Sequence, residues 1–321
     1  MRHMQIEAVN LPLARAFTIS RGTRHAVSVV RVTLEEQGFI GQGECTPTPH
    51  YGESVESVCR QLNSVVEAVE SGLSLEQLQT YLPPGAARNA LNCALWRLKA
   101  ALKKQTLWQC LAIQPPKSVI TAETLSLDSQ ENMAAAAADA ASRGALLLKI
   151  KLDRDLILEK VAAIRQAAPD VRLIIDANEA WSGLDLGSLF NALTRYQVAM
   201  VEQPLPAGKD DDLLRFSHPI PICADESCHH SGDIAGLRSR YDMINIKLDK
   251  CGGISEALAM VEEAKLYGLQ VMVGCMLGSS MAMEAALPIV NAAEYVDLDG
   301  PIWLAADSSP YLTYKLGRIW L

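Results

Sequence analysis

The chain has 321 residues, of which 49% are hydrophobic and 21% charged, and its formal net charge at pH 7 is −8. This length and composition are typical of a globular protein that holds two domains or one barrel with additions. The acidic balance argues against a nucleic-acid partner, and the sequence contains no run of 18 apolar residues that would predict a membrane span.

The cysteines and the first residues of the chain both favour a cytoplasmic protein. The eight cysteines are scattered, with no C-x-x-C pair and no cluster with histidine of the kind that binds zinc. Scattered cysteines in apolar surroundings are typical of reduced thiols in a reducing compartment. Residues 1–17 contain neither a continuous apolar stretch nor a small-residue cleavage site, so they do not resemble a secretory signal.

Residues 1–115 are expected to form an α+β domain. The valine-rich residues 27–36, followed by a turn and a second stretch over 37–45, predict antiparallel strands. Residues 54–71 and 86–104 carry apolar side chains at helical spacing. The proline pair that ends this region then interrupts the chain, and the composition changes after it.

Residues 116–300 alternate short apolar stretches with longer helical ones. The strand candidates are residues 119–125, 146–152, 172–178, 198–204, 221–227, 243–249, 269–277 and 295–300. Alternation of this kind predicts parallel strands joined by helices, and eight repeats predict a closed (β/α)8 barrel of the α/β class. A doubly wound open sheet is the alternative, but the glycine-rich fingerprint that usually follows its first strand is absent.

Carboxylates occur near the C-terminal ends of three consecutive strand candidates. They are Asp176, Glu202 and Asp225, and each is flanked by apolar residues. Taken singly, each would be interpreted as a helix N-cap or a turn residue. In a barrel these strand ends meet at one mouth, where three unpaired carboxylates would repel one another unless a cation bound them. Carboxylate oxygens suit Mg²⁺ or Mn²⁺, so the sequence predicts a divalent metal site.

Three lysines occupy the same strand ends. Lys149 and Lys151 alone would fit a half-exposed strand with lysine on its wet face. In a barrel they share one face and point into the mouth, while Lys247 faces them from four strands further round. We expect crowding and partial burial to lower the pKa of these lysines toward that of a general base. Two bases about one carbon, beside a metal that stabilises an enediolate, suit racemisation or epimerisation alpha to a carboxylate.

Five short motifs together resemble those of one family. In chain order they are K-x-K at 149–151, D-x-N at 176–178, E-Q-P at 202–204, D-E-S at 225–227 and N-x-K at 245–247. Their order is similar to that of the enolase superfamily, muconate-lactonising subgroup, over nearly the whole chain. The resemblance implies a capping domain over residues 1–115, completed by about 301–321, above a catalytic barrel over 116–300.

Within the superfamily the chain resembles the dipeptide epimerases. The stretches FTISRGTRHA (17–26) and GECTPTPHYGES (43–54) are similar to that group's capping loops, whose arginine, here Arg24, binds a glutamate side chain. The sequence DLDG (297–300) is similar to the acidic pair that meets a free amino group. The resemblance implies Lys151 and Lys247 as acid/base residues, Asn178 and Glu226 beside the metal ligands, and substrate contacts from Arg24, Thr124, Lys149, Cys275, Leu277, Asp297 and Asp299.

The implied activity is Mg²⁺-dependent epimerisation of L-Ala-L-Glu and L-Ala-D-Glu in murein peptide recycling. The alternatives are an epimerase of other dipeptides, or a dehydratase or cycloisomerase of the o-succinylbenzoate synthase type. Substrates of the latter carry no ammonium group for Asp297 and Asp299. A non-enzymatic binding protein would be expected to lack a lysine or a metal ligand, and here the set is complete. No interface is visible in the sequence, which leaves homo-oligomerisation open.

One helix of the expected capping domain departs from the family pattern. Members often carry acidic residues at two positions where this chain has Asn92 and Arg97, in the sequence ALNCALWRL. Both positions lie outside the expected barrel mouth. We therefore expect the change to affect local packing or an interface and to leave the chemistry unaltered.

Overall fold

The N-terminal part of the chain is an antiparallel sheet covered by helices. The structure, a computed structural model, describes all 321 residues. The strands are β1 (Arg2–Ile19), β2 (Gly22–Glu36) and β3 (Phe39–Cys45), and the helices are α1 (Val55–Asn63), α2 (Val66–Glu70), α3 (Leu75–Tyr81), α4 (Ala86–Leu102) and α5 (Leu107–Leu111). Strand β2 lies in the middle and pairs antiparallel with both neighbours.

The pattern of small and apolar residues brings this sheet against helix α4. Val30, Val32 and Leu34 alternate along β2 and are fully buried, as expected for a strand with one covered face. Strand β3 approaches α4 most closely at Gly43, where a Cβ atom would lie 2.0 Å from the carbonyl oxygen of Ala90. Any larger residue at this position would push the helix away from the sheet.

The central part of the chain curls into a parallel barrel. After β4 (Ser118–Ile120), its strands are β5 (Glu123–Leu125), β6 (Leu147–Lys151), β7 (Arg172–Asp176), β8 (Val198–Glu202), β9 (Ile222–Ala224), β10 (Met243–Ile246), β11 (Gln270–Val273) and β12 (Tyr295–Val296). Its helices are α6 (Gln130–Ser142), α7 (Ile157–Ala167), α8 (Leu186–Leu193), α9 (Ser231–Leu237), α10 (Leu248–Cys251), α11 (Ile254–Tyr267) and α12 (Ser280–Ala286). The eight strands β5 to β12 follow one another in sequential order.

One backbone contact joins the two ends of this sheet. The amide of Ala122, just before β5, donates to the carbonyl oxygen of Val296 in β12 at 2.8 Å. The predicted α/β fold, a (β/α)8 barrel with an N-terminal α+β domain, is therefore confirmed. None of the helices is both long and apolar enough to cross a membrane.

An apolar layer fills the barrel beneath its mouth. It is made by one buried residue from each strand or from the residue just before it: Ala122, Leu147, Ile174, Met200, Cys223, Met243, Met272 and Tyr295. Side chains two residues apart in a strand share a face, so the next inward layer holds residues two positions further on. For example, Ile174 precedes Asp176, Met200 precedes Glu202, and both carboxylates are fully buried.

The start of the barrel segment differs from expectation in one place. The stretch 119–125, expected to be one strand, is two, because β4 pairs antiparallel with β14 (Arg318–Trp320) outside the barrel while β5 belongs to it. Strand β14 also pairs with β13 (Thr313–Lys315). Residues 301–321, expected to complete the capping domain, contact the N-terminal sheet where Leu304 bridges Leu13 and where Ser308 Oγ accepts from Arg31 at 2.6 Å. The domain boundary at 115 and 116 stays a prediction.

Helix α4 connects the two parts of the molecule through the residues that depart from the family pattern. The side chain of Asn92 donates to Ser255 Oγ at 2.9 Å and accepts from its amide at 3.1 Å. Arg97 donates to the carbonyl oxygens of Gln42 and Met281 and lies 2.5 Å from Glu284 Oε2. Both side chains therefore join α4 to elements outside their own helix, as expected for an interface.

The substitution Arg97→Ala is expected to lower the free energy of unfolding by about 2 kcal/mol without changing the activity. The guanidinium is mostly buried, and three acceptors, one on β3 and two on α12, would lose their donor. Denaturant unfolding measures the loss. The control is Arg215→Ala, since that exposed side chain pairs only with Asp212 and should contribute less than about 0.5 kcal/mol. Equal effects of both substitutions would contradict the prediction.

Candidate active site

Three buried carboxylates meet at the C-terminal ends of neighbouring strands. Asp176 ends β7, Glu202 ends β8, and Asp225 directly follows β9. Asp176 and Glu202 are paired in the register of their strands. All three side chains are buried, and one oxygen from each lies within 4.8 Å of the others. The structure thus brings together the three residues that the sequence predicts as metal ligands.

Burial and neighbouring charges act unequally on these carboxylates. Burial, together with the charge of Asp176, raises the pKa of Glu202 to about 7. Burial also opposes ionisation of Asp176, but Lys151 and Lys149 outweigh it and hold the pKa of Asp176 below its usual range. Lys247 and Lys250 do the same for the pKa of Asp225. Of the three carboxylates, Glu202 therefore has the least positive charge nearby to compensate its negative charge.

The three predicted lysines surround the carboxylates at contact distance. Lys151 Nζ lies 2.5 Å from Asp176 Oδ2, and Lys247 Nζ lies 2.6 Å from Asp225 Oδ2. Lys149 is fully buried, and its Nζ lies 2.7 Å from Glu202 Oε2 and 3.1 Å from Asp176 Oδ2. The barrel thus holds ammonium and carboxylate groups in one compact network, as the alternating residues of its strands suggest.

The expected lowering of the lysine pKa values is wrong for two of these residues. Burial alone lowers the pKa of Lys149, but Asp297, Glu202 and Asp176 outweigh it and raise the pKa well above its ordinary value. The pKa of Lys247 is also raised, because Asp225 outweighs burial and the repulsion from Lys149. Crowded cations lower the pKa of a lysine, but the paired carboxylates of the structure outweigh them.

A cavity of about 450 Å³ lies above this network, between the barrel mouth and the N-terminal loops. Eleven of the predicted site residues line it: Arg24, Thr124, Lys149, Lys151, Asn178, Asp225, Lys247, Cys275, Leu277, Asp297 and Asp299. Asp176, Glu202 and Glu226 are buried around it without lining it. Its size is within the range of small-molecule sites.

Arg24 contributes the one cavity-lining guanidinium that has no protein partner. It forms no ion pair, whereas its neighbour Arg21 contacts Glu226 Oε1 at 2.8 Å and Glu179 Oε2 at 3.2 Å. Arg24 lines the cavity but is exposed to solvent, and its partial burial, with a smaller repulsion from Arg21, lowers the pKa of Arg24. Its donors are therefore available to an anionic group inside the cavity.

An acidic pair forms another wall of the cavity. Asp299 Oδ2 accepts from the amide of Thr124 at 2.8 Å and from Trp303 Nε1 at 3.2 Å. Asp297 Oδ2 accepts from Lys149 Nζ at 3.0 Å, and its Oδ1 lies 3.5 Å from Thr124 Oγ1. Burial and the nearby Asp297 raise the pKa of Asp299 to about 7. Two carboxyl groups in one cavity wall suit a cationic ligand.

Asn178 and Glu226 lie beside the carboxylates predicted to bind a metal. The amide of Asn178 donates to Asp176 Oδ1 at 2.9 Å, and its side chain lies 3.5 Å from Glu226 Oε1. Arg21 and His50, from the two N-terminal loops, contact Glu179 after β7, with His50 Nε2 at 3.0 Å. These contacts connect the loops above the cavity to the ends of the strands beneath it.

Sequence reasoning missed four residues that hold the network. Arg21 is one, and Gln203 is another, because its Oε1 accepts from the amides of Asp225 and Ser227. Asn245 donates to Glu202 Oε1 at 2.8 Å, and Lys250 contacts Asp225 Oδ1 at 2.6 Å. Gln203 and Asn245 belong to the recognised motifs, and this was the available signal. Arg21 and Lys250 are indistinguishable by sequence pattern from solvated charges.

The donor set fits a divalent cation. Glu202 Oε2 is buried and accepts no hydrogen bond, since Lys149 Nζ lies close to it but outside hydrogen-bonding geometry. A buried, ionisable oxygen without a hydrogen bond is costly unless another positive charge approaches it. Three carboxylate oxygens around one point are hard ligands of the kind that Mg²⁺ prefers. The charge and the oxygen chemistry of these three side chains therefore suit a divalent metal ion.

The fold and the site define the class of protein. Residues 132–320 match the family described as "Enolase C-terminal domain-like", and residues 1–112 match "Mandelate racemase / muconate lactonizing enzyme, N-terminal domain". The chain belongs to the enolase superfamily, within the mandelate racemase and muconate-lactonising enzymes. The expected family is confirmed.

Characterised relatives narrow the class to the isomerases. The chain is 50% identical to the L-Ala-D/L-Glu epimerase of Escherichia coli strain K12, over 100% of both chains. An Agrobacterium tumefaciens enolase family member, solved with sodium and L-Ala-L-Glu, is 45% identical with a TM-score of 0.96, over 100% of this chain and 98% of that one. The dipeptide epimerase of Enterococcus faecalis V583, solved with Mg and L-Leu-L-Tyr, is 30% identical with a TM-score of 0.89, over 99% and 96%. The protein is an enzyme, an isomerase.

Proposed function

We propose that the protein interconverts L-Ala-L-Glu and L-Ala-D-Glu by moving the proton on the alpha carbon of the glutamate. The observation that carries the proposal is the unpartnered guanidinium of Arg24 in the cavity that also contains Lys151 and Lys247. Arg24 binds the side-chain carboxylate of the substrate, and Asp297 with Asp299 binds its ammonium group. A substrate of the o-succinylbenzoate synthase type has no ammonium group and leaves this acidic pair without a role.

The proton transfer in this proposal uses one lysine on each face of the alpha carbon. For one epimer Lys151 takes the alpha proton, so that the C–H bond breaks and its electron pair delocalises into the adjacent carboxylate. Lys247 then donates a proton to the opposite face, forming the new C–H bond with inverted configuration. The reverse reaction exchanges the two roles. Lys149 and the cavity walls hold the carboxylate in place during both steps.

The proposed cofactor is Mg²⁺, with Mn²⁺ as the alternative metal. Asp176, Glu202 and Asp225 hold it. When bound, a divalent cation supplies positive charge that offsets these carboxylates and the charge that develops on the substrate carboxylate. Asn178 and Asn245 keep two of the ligands oriented, through the contacts with Asp176 and Glu202.

The proposed physiological role is the recycling of murein-derived peptides in the cytoplasm. The proposed substrate contains alanine followed by glutamate, as a murein peptide does, and Arg24 and the acidic pair support the binding of its side-chain carboxylate and its ammonium group. All eight cysteines are free thiols in the structure, which is in keeping with a reducing compartment.

Incubation with L-Ala-L-Glu and Mg²⁺ in D₂O tests the proposal directly. Proton NMR should show loss of the glutamate alpha-proton signal together with the appearance of L-Ala-D-Glu. Exchange on other dipeptides but not on L-Ala-L-Glu would support the proposed proton transfer and would show that the substrate is a different dipeptide. No exchange on any dipeptide, with metal binding demonstrated, would overturn the proposal and bring the dehydratase alternative forward.

The substitution Arg24→Gln is expected to lower kcat/KM for L-Ala-L-Glu about 10- to 100-fold, mainly through KM. The loss corresponds to one charge-assisted contact, worth about 1.5–3 kcal/mol. Steady-state kinetics with L-Ala-L-Glu and with L-Ala-L-Gln measures it. The uncharged dipeptide is the internal control, because its kcat/KM should change by less than about threefold. An equal loss on both dipeptides would place Arg24 outside the recognition of the side chain.

A further inference from the structure

Lys250 is a fully buried lysine that the proton-transfer steps do not use. It lies in α10, the short helix that follows β10, and its side chain is 0% exposed. Its Nζ donates to Asp225 Oδ1 at 2.6 Å, to the carbonyl oxygen of Asp225 at 2.5 Å and to that of Asn245 at 3.0 Å. An ammonium group has three protons, so these contacts use all of its donors.

The contacts of Lys250 fix two of the three carboxylates. Asp225 is held by a different lysine on each oxygen, Lys247 on Oδ2 and Lys250 on Oδ1. The third contact holds the backbone of Asn245, whose side chain donates to Glu202 Oε1 at 2.8 Å. One buried side chain therefore connects the end of β9, the end of β10 and, through Asn245, the end of β8.

We propose that Lys250 is a positioning residue that keeps Asp225 in its metal-binding orientation while Lys247 moves between Asp225 and the substrate carbon. This inference rests on the proposed function, because it takes Lys247 as one of the two bases. To reach the alpha carbon, Lys247 Nζ has to leave a 2.6 Å contact with Asp225 Oδ2. Because Lys250 holds Oδ1 and the backbone carbonyl oxygen of Asp225, the Asp225 side chain cannot rotate to follow Lys247.

A purely electrostatic role for Lys250 predicts the opposite effect on the metal. A buried ammonium 2.6 Å from a ligand oxygen repels a cation, so its removal alone would strengthen metal binding. A positioning role predicts weaker binding, because residues that orient metal ligands typically contribute about 10- to 100-fold to affinity or activity. The direction of the change therefore distinguishes the two roles.

The test compares Lys250→Met with Lys160→Met. Met keeps much of the volume of lysine and removes its donors. Lys160 is the matched control, since it is a buried lysine of α7 that lies 3.2 Å from Asp153 Oδ1 outside the cavity. Calorimetric titration of the substrate-free proteins with Mg²⁺ should show affinity about 10- to 100-fold weaker for Lys250→Met and within about threefold of wild type for Lys160→Met. Unchanged or tighter Mg²⁺ binding by Lys250→Met would overturn the proposal.

A second measurement follows alpha-proton exchange from each epimer in D₂O at saturating Mg²⁺. Lys250→Met should slow exchange mainly from the epimer that Lys247 deprotonates, which is the epimer whose exchange Lys247→Met abolishes. KM for the dipeptide should stay within about threefold. Equal slowing from both epimers would indicate a merely structural role and overturn the proposal. If wild type acts on no dipeptide, the proposed function fails, and the Mg²⁺ titration still tests the positioning of Asp225.

The double variant Lys250→Met/Asp225→Asn covers the case in which Lys250→Met folds but is too unstable for the Mg²⁺ titration. Loss of Lys250 leaves the buried Asp225 with less compensation, and the second substitution removes that charge. The double variant should therefore recover a folded state with a Tm above that of Lys250→Met. A double variant less stable than Lys250→Met by the full effect of Asp225→Asn would show that the two residues act independently, against the proposal.

Discussion

Lys151→Met and Lys247→Met are each expected to slow epimerisation strongly while leaving alpha-proton exchange from one epimer. Inversion needs a base on one face and an acid on the other, and each variant retains only one of them. The lysine that remains still removes the alpha proton of the epimer whose C–H bond points toward it. It then returns deuterium to the same face of the alpha carbon. The rate of inversion should fall by about 100- to 10,000-fold, the usual contribution of one general acid or base.

The two variants should be complementary. Proton NMR in D₂O, started separately from L-Ala-L-Glu and from L-Ala-D-Glu, should show that one variant exchanges the first dipeptide and the other variant the second. Lys160→Met is the control, since its ammonium lies outside the cavity, and it should exchange both. If both variants exchanged the same epimer, the two lysines could not lie on opposite faces of the alpha carbon.

Glu202→Gln is expected to remove the stabilisation of the protein by Mg²⁺ and the activity with it. Glu202 Oε2 is a buried carboxylate oxygen without a hydrogen bond, and an amide in its place presents no negative charge to a cation. Binding at 100 times the dissociation constant stabilises a protein by about 2.7 kcal/mol. This corresponds to a rise in Tm of about 4 °C for a chain of this size, and the variant should show none of it.

The metal-free Glu202→Gln variant should remain folded, with a Tm at or above that of the metal-free wild type. The reason is that the variant no longer buries a carboxyl group whose pKa is raised to about 7. Asn245 accommodates the amide by turning its own amide group, since its Oδ1 has no partner. The control is Glu44→Gln, a buried glutamate paired with Arg31, which should lower Tm and keep the response to Mg²⁺. A Mg²⁺ response that persists in Glu202→Gln would contradict the proposed ligand set.

Much of the site was predictable because a barrel strand repeats every two residues and its C-terminal end faces the mouth. Asp176, Glu202 and Asp225 lie two positions after the buried residues of the apolar layer, so their grouping follows from pattern and fold class. The same periodicity placed Lys149 and Lys151 on one face. Their contacts with the carboxylates of neighbouring strands bear out that part of the reasoning.

The direction of the lysine pKa shifts was not predictable in this way. Burial and like charges lower the pKa of an ammonium, and paired carboxylates raise it, so the sign depends on distances of a few ångströms. Lys247 lies 2.6 Å from Asp225, which decides the balance toward the charged form. A sequence fixes which charges are present on a strand but not how closely they pair across a barrel.

The amino-acid sequence by itself determined the strand and helix alternation, the ring of charged residues at the strand ends and the enolase superfamily. These depend on local periodicity and on motifs that lie within single strands. Only the tertiary structure decided which loop residue is free to bind substrate and which is engaged, as the unpaired Arg24 and the paired Arg21 show. It also decided the place of Lys250 beneath Asp225. Both depend on contacts between segments far apart in the chain, where the partner of a charged side chain is set by packing and not by neighbouring sequence.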